Sequence, residues 1–489
     1  MNERMEDLIK LGEDLGLDPF PVVFETIELS TMHNVCAYGL PTRARHWSYG
    51  RSYDHQKTYG EMGLSKVYEV ILNNNPSYAF LLDTNSEVQN LFIVAHCLGH
   101  SDFFKNNCMF KKTDRNMISH AAEHAGRIES YIERYGFERV EHIMDIGFAL
   151  DSHIDWHKGL YRKAYPKRSI RTLVPKCNEF DDLLHRNKNF RPIEKIVNKR
   201  IPPHPERDLL WFLINYAPLE DWESDMLDIM REEAHYFYPQ RMTKIMNEGW
   251  ASYWHAELMY KYDGLTPAEY MDFVRDHEKV VQPGGNPFRI NPYFLGYRIF
   301  RDIEKRWDEE YGEGAGRKKI FEVREVEDDV SFLRNYLTAD LVRELKLFTY
   351  GYLEDYPKDH EEEKYIEIKG RILNDITENL VKPLYNNGVP RIVIEEIGQE
   401  GSLILRHDSE EVGVLNQKYA AKTIEYVWDL WAAPIELHTL DDNGDNVVLY
   451  FDEGGLGIKN LEEDLSFEEE KEEEEEQRFS KHSGRIIIP

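Results

Sequence analysis

Residues 87–104, EVQNLFIVAHCLGHSDFF, decide how the rest of the chain is read. Apolar residues fall on every side of the helical wheel, so the stretch predicts a helix buried all round rather than a surface helix with one apolar stripe. Such a helix needs neighbours on every face. The flanking sequence supplies them as helical patterns near 117–135, which stops at Gly136, and near 138–157, with Val140, Ile143, Phe148 and Ile154 on its apolar side. Further patterns run over 207–216, 221–236 and 241–262. Thr266 as N-cap and Pro267 at the first helical position open another over 267–280, and NPYFLGYRIFRDIEKRW (291–307) opens the last.

Upstream, Pro19, Pro21 and Pro41 interrupt residues 1–83, which read as short helices and loops. Residues 160–205 are basic and punctuated by proline, an extended surface segment in this reading. Past about Asp340 the texture changes to β-type runs, KYIEIKG, RIVIEEI, SLILRHD, PIELHTL and NVVLYFD, with two helical stretches among them and a hairpin turn at Asp442-Asn443-Gly444. The expected fold is therefore mainly α: a large helical domain over 1–338, a small α+β domain over 339–460 and a disordered acidic tail over 461–489. His407 and His438 stand alone in the α+β part, which suggests docking rather than catalysis.

At 489 residues, with 41% hydrophobic and 12% aromatic content, the chain can bury more than one core. No run approaches 18 apolar residues and the start carries no basic–apolar leader, so neither a membrane span nor a secretory signal is expected. Net charge is −30; residues 462–476 hold eleven acids and one lysine, about −10, and the rest of the chain remains strongly acidic. A nucleic-acid partner is not expected, because phosphate neutralisation needs a basic face. The four cysteines, Cys36, Cys97, Cys108 and Cys177, form no CxxC pair and read as reduced thiols in a cytoplasmic protein. No P-loop, no GxGxxG unit and no GxSxG elbow is present.

Histidine spacing carries the chemistry. Nineteen histidines placed at random give about 0.7 pairs at the i,i+4 separation that shares a helix face. Three occur within 62 residues: His96/His100, His120/His124 and His153/His157. Two imidazoles one turn apart form a preformed bite for a transition metal. The competing explanation is a polar seam of hydrogen-bonded histidines.

The string His96-Cys-Leu-Gly-His100 has the ligand spacing of the HExxH helix of zinc peptidases, but Cys97 stands where those enzymes carry the water-activating Glu. Residues 247–255, NEGWASYWH, resemble the third-ligand helix of gluzincin metallopeptidases, with Glu248 in the ligand place. The centre expected is thus a divalent metal, zinc, on His96, His100 and Glu248, with His124 and His153 as further ligands or rim residues. The missing base is sought in Glu123 of an inverted HxxEH arrangement, in Glu233 or in His235. Arg45, His46, Trp250 and His255 are candidate substrate contacts.

Several longer strings, ARHWSYG (44–50), AHCLGHSDFFKNN (95–107), HAGRIESYIERYG (124–136), HIDWH (153–157), NEGWASYWH and NPFRINPYFLGYRIFRDIEKRW (286–307), together resemble the SpoVR family, the stage V sporulation protein R family. The resemblance implies a role in forming the spore cortex, in the cytoplasm of the developing spore or mother cell, with other cortex-assembly proteins as partners. It supplies no catalytic residue set. A regulator or assembly factor on a metallohydrolase-like helical core, a metal-dependent hydrolase of amide bonds, and di-metal redox chemistry in a helix bundle all remain open at this point.

Overall fold

The computed structural model describes residues 2–61, 69–165, 169–173, 193–197, 200–286, 288–352, 366–398, 401–409 and 413–460. The acidic tail and much of the basic 160–205 segment lie outside them. In chain order the helices are α1 (Asn2–Asp14), α2 (Leu29–Tyr38), α3 (Trp47–Glu61), α4 (Glu87–Asn106), α5 (Met117–Tyr135), α6 (Phe137–Leu150), α7 (Leu209–Tyr216), α8 (Asp221–Met242), α9 (Lys244–Lys261), α10 (Pro267–Val280), α11 (Pro292–Tyr311), α12 (Ala315–Val326), α13 (Asp329–Tyr336), α14 (Ala339–Glu344), α15 (Leu373–Val381) and α16 (Gln417–Trp431). The strands are β1 (Val22–Ile27), β2 (Val70–Leu72), β3 (Ser77–Leu82), β4 (Ser169–Leu173), β5 (Ile193–Val197), β6 (Thr349–Tyr352), β7 (Ile366–Gly370), β8 (Ile392–Ile397), β9 (Leu403–His407), β10 (Ile435–Leu440), β11 (Asn446–Asp452) and β12 (Gly455–Asn460). The protein is mainly α, with a sheet-containing C-terminal region. Among the described residues no helix is long and apolar enough to cross a membrane.

Local chemistry sets where the helices begin. At α4 the Ser86 hydroxyl accepts from the Gln89 N–H while the Gln89 side chain accepts from the Ser86 N–H, a reciprocal cap repeated by Thr266 and Glu269 at α10. Beyond its first turn α4 is buried on all sides, from Asn90 to Phe104. Two sequence expectations are corrected here. Residues 1–83 contain strands as well as helices: β1 runs parallel to β3, β2 antiparallel to it, and Met32, Val35, Leu72, Phe80 and Leu82 form their core. The helix expected to reach residue 157 ends at Leu150, where the His153 N–H bonds the Leu150 carbonyl in a turn. His153 and His157 therefore share no helix face.

The chain divides into two units, one made of Met1–Asp145 and Ile229–Val389, the other of Ile146–Asp228 and the described residues from Pro390 onward. The boundary expected at 338/339 is not where packing divides. β6, β7 and α15 belong to the first unit. In the second unit β8 to β12 form one mixed sheet in the order β12-β11-β10-β9-β8, with β9 and β10 parallel and the 442–444 turn joining β10 to β11. Ile424, Val427, Leu430 and Trp431 of α16 are buried. Residues 146–228 join that sheet through backbone bonds between Glu206 and Ile394 (2.9 and 2.7 Å) and from Ile397 to Ile201 (2.8 Å). Pairing across such a separation leaves no trace in local periodicity.

Within the first unit α9 lies between α4 and α11, and glycines make both crossings. A Cβ on Gly99 would lie 2.7 Å from the Ala251 Cα. A Cβ on Gly296 would lie 2.1 Å from the Ile245 carbonyl oxygen, and one on Gly249 would lie 2.4 Å from Gly296. Gly249 thus serves the contact with α11, and Gly99 the contact with α4. Gly126 on exposed α5 has no atom near its Cβ direction. The two kinds of glycine should respond oppositely to alanine. Gly296→Ala is expected to destabilise by about 2–3 kcal/mol, lowering Tm by roughly 4–10 °C, while Gly126→Ala should raise stability by up to about 1 kcal/mol by removing helix-interior glycine. Thermal melts in which Gly296→Ala leaves Tm unchanged would refute the close crossing.

Candidate metal centre

The α4–α9 crossing turns one face of each helix toward the other. His96 and His100, one turn apart on α4, present their rings 4.5 Å apart at near-perpendicular planes, and both are buried. Glu248 on α9 points between them, its Oε2 3.7 Å from His96 Nε2 and 3.4 Å from His100 Nε2. A fourth group arrives from outside both helices. Glu69, the residue before β2, places Oε2 3.1 Å from His96 Nε2. One ligand atom from each of Glu69, His96, His100 and Glu248 lies within 4.8 Å of the others, and among the described residues they form the one group of three or more His, Cys, Asp or Glu side chains that could hold a metal ion.

The spacing is compatible with a metal ion. Ligand bonds of about 2.0–2.1 Å around a tetrahedral ion put neighbouring donor atoms about 3.3–3.4 Å apart, and the observed separations of 3.1, 3.4 and 3.7 Å bracket that edge. His96 Nε2 and Glu248 Oε2 are buried without a hydrogen-bond partner, although each has the other's carboxylate or imidazole close by. Buried polar atoms are usually paired, and these two face each other inside the four-residue group.

A second layer orients the ligands. His100 Nδ1 lies 2.9 Å from the Asn247 Oδ1, which can only accept, so His100 carries its proton on Nδ1 and offers an Nε2 lone pair to the centre. His96 Nδ1 lies 2.8 Å from His255 Nδ1, and His255 Nε2 lies 2.7 Å from His277 Nδ1 on α10. The Tyr293 hydroxyl donates to Glu69 Oε1 at 2.9 Å. Burial works against charge on His96, but the Glu69 and Glu248 carboxylates outweigh it and raise the imidazole to about 9. Burial likewise opposes charge on Glu248, yet His100 and His96 hold its carboxyl well below the usual range. His255 and His277 are both pushed down by burial, His277 to about 4, and are neutral near pH 7.

Other residues singled out from sequence lie elsewhere. Cys97 is fully buried, and burial followed by the nearby Glu69 and Glu248 charges pushes its thiol far up, so it offers neither a base nor a thiolate. His124 forms a separate cluster, its Nε2 3.2 Å from Glu232 and its Nδ1 3.7 Å from Glu233, whose carboxylate also takes Arg43. Its helix partner His120 turns to Asp114. Glu123, one residue before His124, points to solvent and is no base for either histidine. His235 is half-buried on α8 outside the four-residue group, and His153 belongs to the second unit, half-buried and pushed down to about 4 by desolvation.

Trp250 contacts no substrate space. It is fully buried, and its indole N–H donates to the buried Asp102 carboxylate at 2.8 Å, which also takes Arg324. His255 backs His96 rather than facing a ligand. His46 is buried against Asp145, which also takes the Trp47 indole, while Arg45 is exposed. Glu69, Asn247, His277 and Tyr293 are the residues that sequence reading passed over. Asn247 and Tyr293 stood inside quoted strings; Glu69 and His277 had no spacing signal to reveal them.

The sequence comparisons agree with the strings read above. A family model described as "SpoVR like protein" matches residues 1–381, which span all four ligand positions. The chain is also similar to the "Uncharacterized protein YcgB" of Escherichia coli (strain K12), 31% identical over 483 residues, covering 90% of this chain and 92% of that protein. No solved structure matches.

Because His96 and His124 are both raised to about 9 from an ordinary value of 6.5, each stabilises the metal-free fold fully below pH 6.5 and loses that contribution as pH rises through 9. Melting followed in EDTA should therefore show Tm falling from pH 6.5 to 9.5. His96→Gln should make that decline shallower while leaving the His124 share. A Tm that is flat or rises over this window would contradict the charged His96 pairing.

Proposed function

The chain belongs to the SpoVR-like family, and from that premise we propose that it is a metal protein in which His96, His100 and Glu248 hold one divalent ion, zinc by its donor set, with the Glu69 carboxylate beside it. The observation that carries this reading is the convergence of two imidazoles and two carboxylates on one point, with His96 Nε2 and Glu248 Oε2 buried at it. Nitrogen and oxygen donors without sulfur suit zinc, with manganese or iron as chemically admissible substitutes.

The function that fits best is hydrolysis of an amide bond in material for the spore cortex, the context that the family resemblance implies, alongside other cortex-assembly proteins in the cytoplasm. His96, His100 and Glu248 supply the two-His, one-Glu set of zinc hydrolases. A bound ion in that set polarises a carbonyl and acidifies water. Glu69 then fills the role that Cys97 cannot. Its carboxylate reaches the ligand cluster from a separate segment, and the Tyr293 hydroxyl fixes one oxygen while the other faces His96.

A second reading is favoured by the same residue. If Glu69 closes the coordination sphere as a fourth ligand, the ion clamps the segment before β2 onto α4 and α9, and the protein is an assembly factor on a metallohydrolase-like core. Metal analysis of protein purified without an affinity tag should give close to one zinc per chain. Glu248→Ala is expected to weaken zinc binding by about 10–100-fold or more. Glu69→Gln separates the readings. A base leaves metal affinity nearly intact and the cobalt-substituted spectrum open to change by a hydroxamate, whereas a fourth ligand loses affinity and leaves the wild-type spectrum unresponsive. A chain that takes up no zinc after reconstitution would defeat both.

A further inference from the structure

Behind His96 the structure places two more buried imidazoles in line. His96 Nδ1 meets His255 Nδ1 at 2.8 Å, and His255 Nε2 meets His277 Nδ1 at 2.7 Å. His255 is fully buried and packed against Phe92, with ring centroids 4.3 Å apart; His277 is 7% exposed, its ring edge-to-face with Tyr297. His277 sits on α10 and touches none of the four ligands. Neither outer imidazole has a carboxylate within ion-pair distance among the described residues, so the chain consists of N–H···N bonds alone.

A neutral imidazole has one N–H and one lone pair, so each ring that accepts on one nitrogen must donate from the other. With all three rings neutral the chain has only two self-consistent directions, and a charged His96 allows only the one in which its Nδ1 donates to His255. When His96 offers its Nε2 lone pair to an ion, its proton is on Nδ1 and is donated to His255 Nδ1. His255 must then carry its own proton on Nε2 and donate it to His277 Nδ1. In the opposite direction His255 carries its proton on Nδ1 and donates to His96, whose proton moves to Nε2 and blocks the metal position. Whatever sits at residue 277 therefore biases the tautomer of His96.

We propose that His277 is a positioning residue for the metal centre, acting through His255 to hold His96 in the tautomer whose Nε2 faces the ion. This inference rests on the metal reading above and goes further. It assigns control of the site to a residue on another helix that touches none of the ligands and that helix spacing gives no reason to suspect. An acceptor at the Nδ1 position of residue 277 is all that the mechanism requires. Asn, whose Oδ1 falls close to that place, should preserve it, whereas Leu, similar in bulk and unable to accept, should not.

The test is Co(II) titration of the full chain, read by its visible absorption, for wild type, His277→Leu and His277→Asn, with the metal-free Tm of each. The expected result is a loss of affinity of about 10–100-fold in His277→Leu, the scale of outer-layer losses at metal sites, and a value within about threefold of wild type in His277→Asn. Unchanged affinity in His277→Leu overturns the inference and leaves the metal centre standing. Equal weakening in both variants overturns it too, since lost packing rather than a lost acceptor would be the cause. Should His277→Leu fail to fold, His277→Asn decides alone: near-wild-type affinity supports the role of the acceptor and a tenfold loss rejects it. A wild-type chain that binds no Co(II) removes the metal reading and this inference with it.

Discussion

The crossing of α9 between α4 and α11 is the contact on which the rest of the candidate site depends. Backbone meets backbone there, at Gly99 against Ala251 and at Gly249 against Gly296, so no side chain can act as a spacer. Such packing leaves little freedom to slide, because close-packed interiors resist displacement of even a methylene. Held this way, α9 keeps Glu248 opposite His96 and His100 and keeps Asn247 and His255 behind them. The buried carboxylate of Asp329, accepting from the Ile245 and Met246 N–H groups at 2.8 and 2.9 Å, fixes the first turn of α9 as well. The positions of His96, His100 and Glu248 are thus supplied by helices, while Glu69 comes from the segment before β2.

Electrostatics then define what that rigid arrangement holds. Burying Glu248 and Glu69 beside one another would be costly without compensating positive charge. In the metal-free protein the compensation is a proton on His96. A divalent ion would supply it in full and displace that proton, which ties metal affinity to pH as it does wherever ligands must deprotonate. The separate His124, Glu232, Glu233 and Arg43 cluster has the same residue types but brings its own guanidinium. With Arg43 on Glu233, the positive charge is already covalently present, and no metal-capable group forms there among the described residues.

Much of this was legible in the chain itself, for reasons that can be located. The all-round apolar pattern of residues 87–104 identified the buried helix, and four-residue spacing put His96 and His100 on one face of it. The same spacing misled at His153 and His157, because α6 stops at Leu150 and the pair lies in turns. At His120 and His124 the helix was right, but the two rings serve different partners, so periodicity established direction and not destination. Glu69 was invisible because it precedes a three-residue strand and acts through the tertiary fold. His277 was invisible for a similar reason: its link to His255 crosses between helices at a separation no helical repeat produces. The pairing of residues 146–228 with β8 was invisible too, because backbone hydrogen bonds carry no side-chain pattern.

X-ray absorption at the zinc edge on the reconstituted protein reads the central claim most directly, because it reports the atoms bound to the ion. The account predicts a shell of nitrogen and oxygen only, at about 2.0–2.2 Å, with the outer scattering of two imidazole rings and no sulfur. A sulfur contribution at about 2.3 Å, which would place the Cys97 thiolate on the metal, or a shell lacking imidazole scattering, would contradict it.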